Sequence, residues 1–317
     1  MTGGYQFELS LRAGGRSVRA RIAQVGAAIR HLSIDGVDLT AGVDERHPVP
    51  HSCGTVLVPW PNRVRDGRWT HRGYTHHLEL TDPGTGSALH GLLRDTPYVP
   101  TLRSDASITL NALVRAQRGY PFPLDTAVRY RLVPDGLVVR HTVRNVGISC
   151  APVALGAHPF LTIGDVPTED LTLAVNGCRH IDVDDRLIPV GVTDVDGTEW
   201  DLRGGRTVAQ LDLDDAWAVD NTEGTTLASL CAPDGRTVSL WADPSFGYVH
   251  VFTTRAFPFG ASSVTAVALE PMTAPANAFN HGVGLRWLKP GEALSATWAI
   301  RSSWAPAVAT SDIDRGK

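Results

Sequence analysis

Apolar and polar residues alternate one for one along much of this chain, and that period of two restricts the fold more than any other feature. In "SVRARIAQ", Val18, Ala20 and Ile22 alternate with Arg19 and Arg21, the spacing of a strand with one face on a core and the other in water. "AVRYRLVPDGLVVRHTVRN" sets Val128, Tyr130 and Leu132 against Arg129 and Arg131, then turns at Pro134-Asp135-Gly136 into a second alternating run. "TLASLCAPDGRTVSLWA" repeats the device, so both read as antiparallel hairpins. In "EALSATWAI", Leu294, Ala296, Trp298 and Ile300 share one face. No window of about twelve residues sustains an amphipathic helix, and 31 glycines and 21 prolines punctuate the whole length. The expected fold is all-β, built from many short strands.

A chain of 317 residues with 43% hydrophobic and 20% charged residues can bury a sizeable core. Large β domains reach this size with one core, and no compositional break or fixed-period repeat divides the chain. Residues 1–305 are expected to form a single domain and 306–317, small and polar, a disordered tail. A net charge of −4 gives no electrostatic reason to expect nucleic acid or an anionic membrane as partner; a small neutral or weakly charged ligand fits better. Lys289 and Lys317 are the two lysines, one in a turn and one at the last position, which argues against Schiff-base chemistry and a phosphate-loop lysine. Cys53, Cys150, Cys178 and Cys231 are far apart without C-x-x-C spacing and read as free thiols. The opening "MTGGYQFELSLRAGG" has no basic stretch followed by an apolar core, so a reduced, cytoplasmic setting is the expectation.

Five segments depart from simple alternation. "VLVPWPNRVRDGRW" stops an apolar run at Pro59-Trp60-Pro61 and presents Asn62 and Arg63 from a stiff loop. "GSALHGLLRD" places His90 before Gly91, a residue that permits close approach of a ligand. "ALGAHPFLTIGD" puts His158 at the end of an apolar run, where an imidazole with a pKa near ~6.5 suits proton transfer. "LDLDDAWAV" sets Asp214 and Asp215 close to Trp217, a pairing suited to sugar hydroxyls and a sugar C–H face. "VTAVALEPMTAPANAF" ends an apolar run at Glu270, a carboxylate that is costly to bury unless it is compensated or used. Each segment, read alone, also fits a structural role: a proline turn, a hydrogen-bonded histidine, a strand end, a paired glutamate.

Taken in order, "PWPNR", "HG", "GAHPF", "LDDAW" and "EPMTAPANAFN", with "GLRWLKPGE" before the last strand, resemble the aldose 1-epimerase (galactose mutarotase) family. The resemblance runs from "VGAAIRHLSIDGVDL" to about residue 300 and implies a single large antiparallel β-sandwich with a sugar cleft. It implies Glu270 as general base, His158 as general acid and His90 as an aid at the ring oxygen. Asn62, Arg63 and Asp214 would bind sugar hydroxyls, with Trp217 and Phe160 as candidates for stacking. "YVHVFTT" departs from the family, placing His250 where many members carry a glutamine that contacts the sugar. The implied reaction is interconversion of the α and β anomers of an aldohexose by acid/base ring opening, without metal or cofactor. The partner is a small-molecule sugar and the protein a monomer or homodimer. Two other readings remain open: epimerisation of a phosphorylated or sulfonated sugar, with Arg63 or Arg94 on the anion, and a non-catalytic carbohydrate-binding or sensor protein. A metal site at His71, His76 and His77 lacks an acidic ligand in sequence.

Overall fold

The computed structural model describes residues 4–42 and 49–304; the tail 306–317 lies outside them. Two large antiparallel sheets stack face to face. The first has nine strands, in the order Val99–Ser104, Ser107–Val114, Leu124–Val133, Gly136–Asn145, Ala293–Ser303, Thr237–Ala242, Thr225–Cys231, Thr172–Val175 and Arg206–Thr207. Both Pro-Asp-Gly hairpins are here, closing at Val133 opposite Gly136 and at Cys231 opposite Thr237. The C-terminal strand, Ala293–Ser303, joins them by pairing with one strand of each.

The second sheet runs Pro189–Asp194, Arg179–Val183, Asp214–Ala218, Tyr248–Phe259, Ser262–Met272, Gly156–Ala157 and Val56–Leu57, with Phe160–Leu161 also paired to Ser262–Met272. Its inner face presents Trp217, Val249, Val251, Val267 and Leu269 to Leu227, Leu230, Val238 and Leu240 of the first sheet, forming one core. Each such fully buried side chain contributes about 1.5–3 kcal/mol by leaving water. A four-stranded sheet, Gln6–Ala13, Arg16–Ala23, Ile29–Ile34 and Val37–Asp38, adds Phe7, Leu9, Val18, Ala20 and Ile22 to the same core.

Side chains on a strand point alternately to opposite faces, and directly paired residues on adjacent strands share a face. Val251 faces Leu269 inward, so His250 and Glu270, the next pair in register, point outward together. One pattern therefore builds the core and sets charged groups side by side on the outer face. Among the described residues the one α-helix is the four-residue Ala278–His281, and no helix is long and apolar enough to cross a membrane.

Candidate active site

Three neighbouring strands form the floor of the site. Ala216, His250 and Glu270 lie in one cross-strand row, and Asp214 faces Phe252 in the next. Glu270 is 1% exposed. Its strand continues to Met272, two residues past the end expected from the apolar run. The proline-punctuated turn that follows is bolted to its surroundings. Leu155 donates its backbone N–H to Thr273 Oγ1 at 2.8 Å, the Asn277 N–H reaches the Arg63 carbonyl at 2.6 Å, and Asn277 Oδ1 accepts from the Arg65 N–H at 3.1 Å. Asn277 has φ of 63°, a left-handed conformation that asparagine tolerates better than most residues. The turn thus fixes the Arg63 segment against the end of the Glu270 strand.

His158 is held by its backbone, which donates to Thr55 and accepts from Gly54. Its ring stacks on Phe160, with centroids 5.2 Å apart, and its Nε2 lies 3.2 Å from Glu270 Oε1. His90 has φ of 62°. Its N–H donates to the Asn62 carbonyl, and its ring Nδ1 accepts the Asn62 N–H at 3.2 Å. A neutral ring that accepts at Nδ1 carries its proton on Nε2, so His90 is fixed as a donor. The two imidazoles meet edge to face at 5.2 Å. The glycine beside His90 has a different role from the one expected: a Cβ on Gly91 would lie 2.1 Å from the Val58 carbonyl oxygen. It allows close packing of two backbones, not approach of a ligand.

Arg63 bridges two carboxylates, with Nε 3.1 Å from Asp82 Oδ2 and Nη2 3.5 Å from Asp214 Oδ2. Asn62 Oδ1 accepts from the Arg63 N–H at 2.8 Å and from Nη1 at 3.3 Å, so the amide aims the guanidinium. Asp214 Oδ1 takes a 2.8 Å hydrogen bond from His250 Nε2. Arg94, the other guanidinium considered for an anionic substituent, pairs with Asp95.

Burial sets the proton inventory. It raises Glu270 to about 7, against the opposing charge of His250. It lowers His158 to about 3, far from the value near ~6.5 expected of a partly desolvated histidine. His90 is also pushed well down, by burial and by the charges of His158 and Arg63. At Asp214 burial works upward, but the hydrogen bond and charge of His250, with Arg63 behind, hold the carboxyl at about 2. At His250 burial works downward, and Glu270 and Asp214 outweigh it, raising its affinity for a proton. Two polar atoms in this buried cluster have no protein partner: Glu270 Oε2 and His158 Nδ1.

Glu270, His158, His90, Asn62, Arg63, Asp214 and His250 are thus brought together. Trp217 is not. It is fully buried on the inner face, its Nε1 donating to the Trp200 carbonyl, and the stacking role expected of it is excluded because it stands an odd number of residues from Asp214 on one strand. Phe160 is likewise fully buried and supports His158. The half-buried aromatics on the site face of this strand are Phe252 and Tyr248, which sequence reading missed, although each lies two residues from His250 and therefore on its face. Asp82 and Asn277, which anchor Arg63 and its strand, were also missed; both occupy turns whose tertiary partners have no local signature. His71 and His76 stack on Trp287 and Trp69, and no cluster of three potential metal ligands occurs among the described residues.

The chain is similar to known proteins over most of its length. An uncharacterized Escherichia coli K12 protein, YihR, is 28% identical over 295 residues, spanning 90% of this chain and 89% of that one. The same fold occurs in a GalM/aldose epimerase homologue from C. elegans, with TM-score 0.80 and 18% identity over 94% of this chain and 99% of that one. It occurs too in a galactose mutarotase-like protein from Clostridium acetobutylicum, with TM-score 0.79 and 17% identity over 94% and 98%. The family model for aldose 1-epimerase matches residues 8–301, a span that holds every residue of the site, and the chain belongs to the aldose 1-epimerase family.

Proposed function

We propose that this protein is an aldose 1-epimerase that interconverts the α and β anomers of an aldohexose, with Glu270 and His158 as its proton-transfer pair. The observation that carries this reading is a buried carboxylate and imidazole 3.2 Å apart, each with one further polar atom unpartnered. Ring opening needs one proton removed from the C1 hydroxyl and one delivered to the ring oxygen. Glu270 takes the first, the C1–O5 bond breaks with its electron pair on O5, and His158 supplies the second, leaving an aldehyde at C1. Rotation about C1–C2 and reversal of both transfers gives the other anomer.

Burial pushes Glu270 up and His158 down, and a proton shared by the pair has two forms. The charged form, carboxylate with imidazolium, matches the cyclic sugar; the uncharged form matches the open chain. Burial stabilises the uncharged form, so the site favours the state reached after ring opening. His90, fixed as an Nε2 donor, assists at the ring oxygen. Asp214 and Arg63 hold hydroxyls, and Phe252 offers an apolar surface to the ring.

Polarimetry on freshly dissolved α-D-galactose and α-D-glucose tests this reading. The protein should accelerate mutarotation of at least one, and Glu270→Gln should lose about 10²–10⁴-fold. Sugar binding without acceleration would replace the enzyme with a binding protein, and inactivity toward both sugars would overturn the simple-hexose assignment.

A further inference from the structure

His250 occupies a position that the proton-transfer pair does not itself require. It is 5% exposed, sits directly across from Glu270 on the next strand, and donates from Nε2 to Asp214 at 2.8 Å. Asp214 is held in turn by Arg63. We propose that His250 is a positioning residue that supplies the compensating positive charge of the site and sets the pH at which Glu270 releases its proton. The inference rests on the reading of Glu270 as the base.

The charges facing this cluster come from every packed element. His250 meets Asp214 and Glu270 from its two neighbouring strands, Arg63 from across the site, and the rings of His158 and His90. Glu270 meets His250, Asp214 and Arg63, with His158 in contact. His158 adds the influence of His51, and His90 that of Arg94. Of these groups Arg63 is shared between Asp82 and Asp214, and His158 and His90 are driven toward neutrality by burial. His250 differs because a carboxylate fixes its proton on one side while a second carboxylate lies across the strand. A glutamine at this position would keep a hydrogen bond to Asp214 but carry no charge. Asp214 therefore has two functions: it accepts from the sugar and it holds the proton of His250.

Two measurements test the proposal. In pH–rate profiles the alkaline limb reporting loss of the pair's proton should move to higher pH by about one unit in His250→Gln, because an opposite charge within a few ångströms favours the ionised carboxylate by that order. A purely structural or hydroxyl-binding role would change the rate and leave the limb in place, and an unmoved limb overturns the proposal. The second measurement is independent of turnover. Coupling between two titrating sites is reciprocal, so NMR titration of the His250 ring should move to lower pH in Glu270→Gln than in the wild-type protein. An unchanged His250 titration also overturns the proposal, and this outcome is readable even if neither hexose proves to be a substrate.

Discussion

Two histidine–aspartate pairs lie on opposite faces of the same sheet, built from adjacent aspartates. On the outer face His250 bonds Asp214 at 2.8 Å; on the other His180 bonds Asp215 at 3.0 Å. What separates them is the remaining valence of each ring and the neighbours it meets. His180 also bonds Asp182 from Nδ1 at 2.9 Å, and its ring lies flat on Trp200 with centroids 3.9 Å apart. Both nitrogens are satisfied and the pair fastens strand Arg179–Val183 to strand Asp214–Ala218. The outer pair stands beside a buried carboxylate with an unpartnered oxygen. The same pair of residue types closes on itself where every atom is matched and stands open where the row beside it is left incomplete.

The largest effect that distinguishes the faces should come from Trp217. Replacing this fully buried indole by alanine should destabilise the protein by about 3–5 kcal/mol, read from denaturant unfolding, while kcat/KM of the folded fraction stays within about twofold. A selective rise in KM would return Trp217 to the sugar site and erase the contrast. Asp214→Asn should instead lower kcat/KM by about tenfold to a hundredfold, the value of a hydrogen bond to a charged group. Asp215→Asn should leave kcat/KM nearly unchanged. Equal catalytic losses in the two variants would show that the faces are not functionally separate.

The division between faces also explains what sequence reading reached and where it stopped. Alternation in Leu124–Val133 and the Pro-Asp-Gly turns are local signals, so the hairpins and the all-β class were legible. Glu270, His158, His90, Asn62, Arg63 and Asp214 lie in short motifs in a fixed order, and the fold brings them together. Trp217 stands close to Asp214 in sequence, but adjacency along a strand carries a parity, and three residues is an odd step. Applied to "YVHVFTT", the same parity selects Tyr248 and Phe252 from His250. Asp82 and Asn277 hold Arg63 and its segment through contacts between distant turns, and no local pattern encodes them. The depth at which His158 is buried, which moves it to about 3, is likewise a property of the assembled sheets.

The smallest expected effect concerns pH and the inner pair. At His180 burial works to lower the pKa, but the hydrogen bonds to Asp215 and Asp182 outweigh it, and the folded-state value is raised. A raised histidine stabilises the fold fully below its unfolded value of about 6.5, and that contribution is lost as pH rises through the folded value. Asp215→Asn removes the principal partner, so its cost should be about 1–3 kcal/mol at pH 6 and smaller at pH 9, measured as the gap between urea unfolding curves of variant and wild type. A gap that stays constant across this range would mean that His180 is neutral in the folded protein and that Asp215 merely accepts an ordinary N–H bond. The contrast would then be sharper still, because His250 would be the site where this sheet commits a positively charged imidazole.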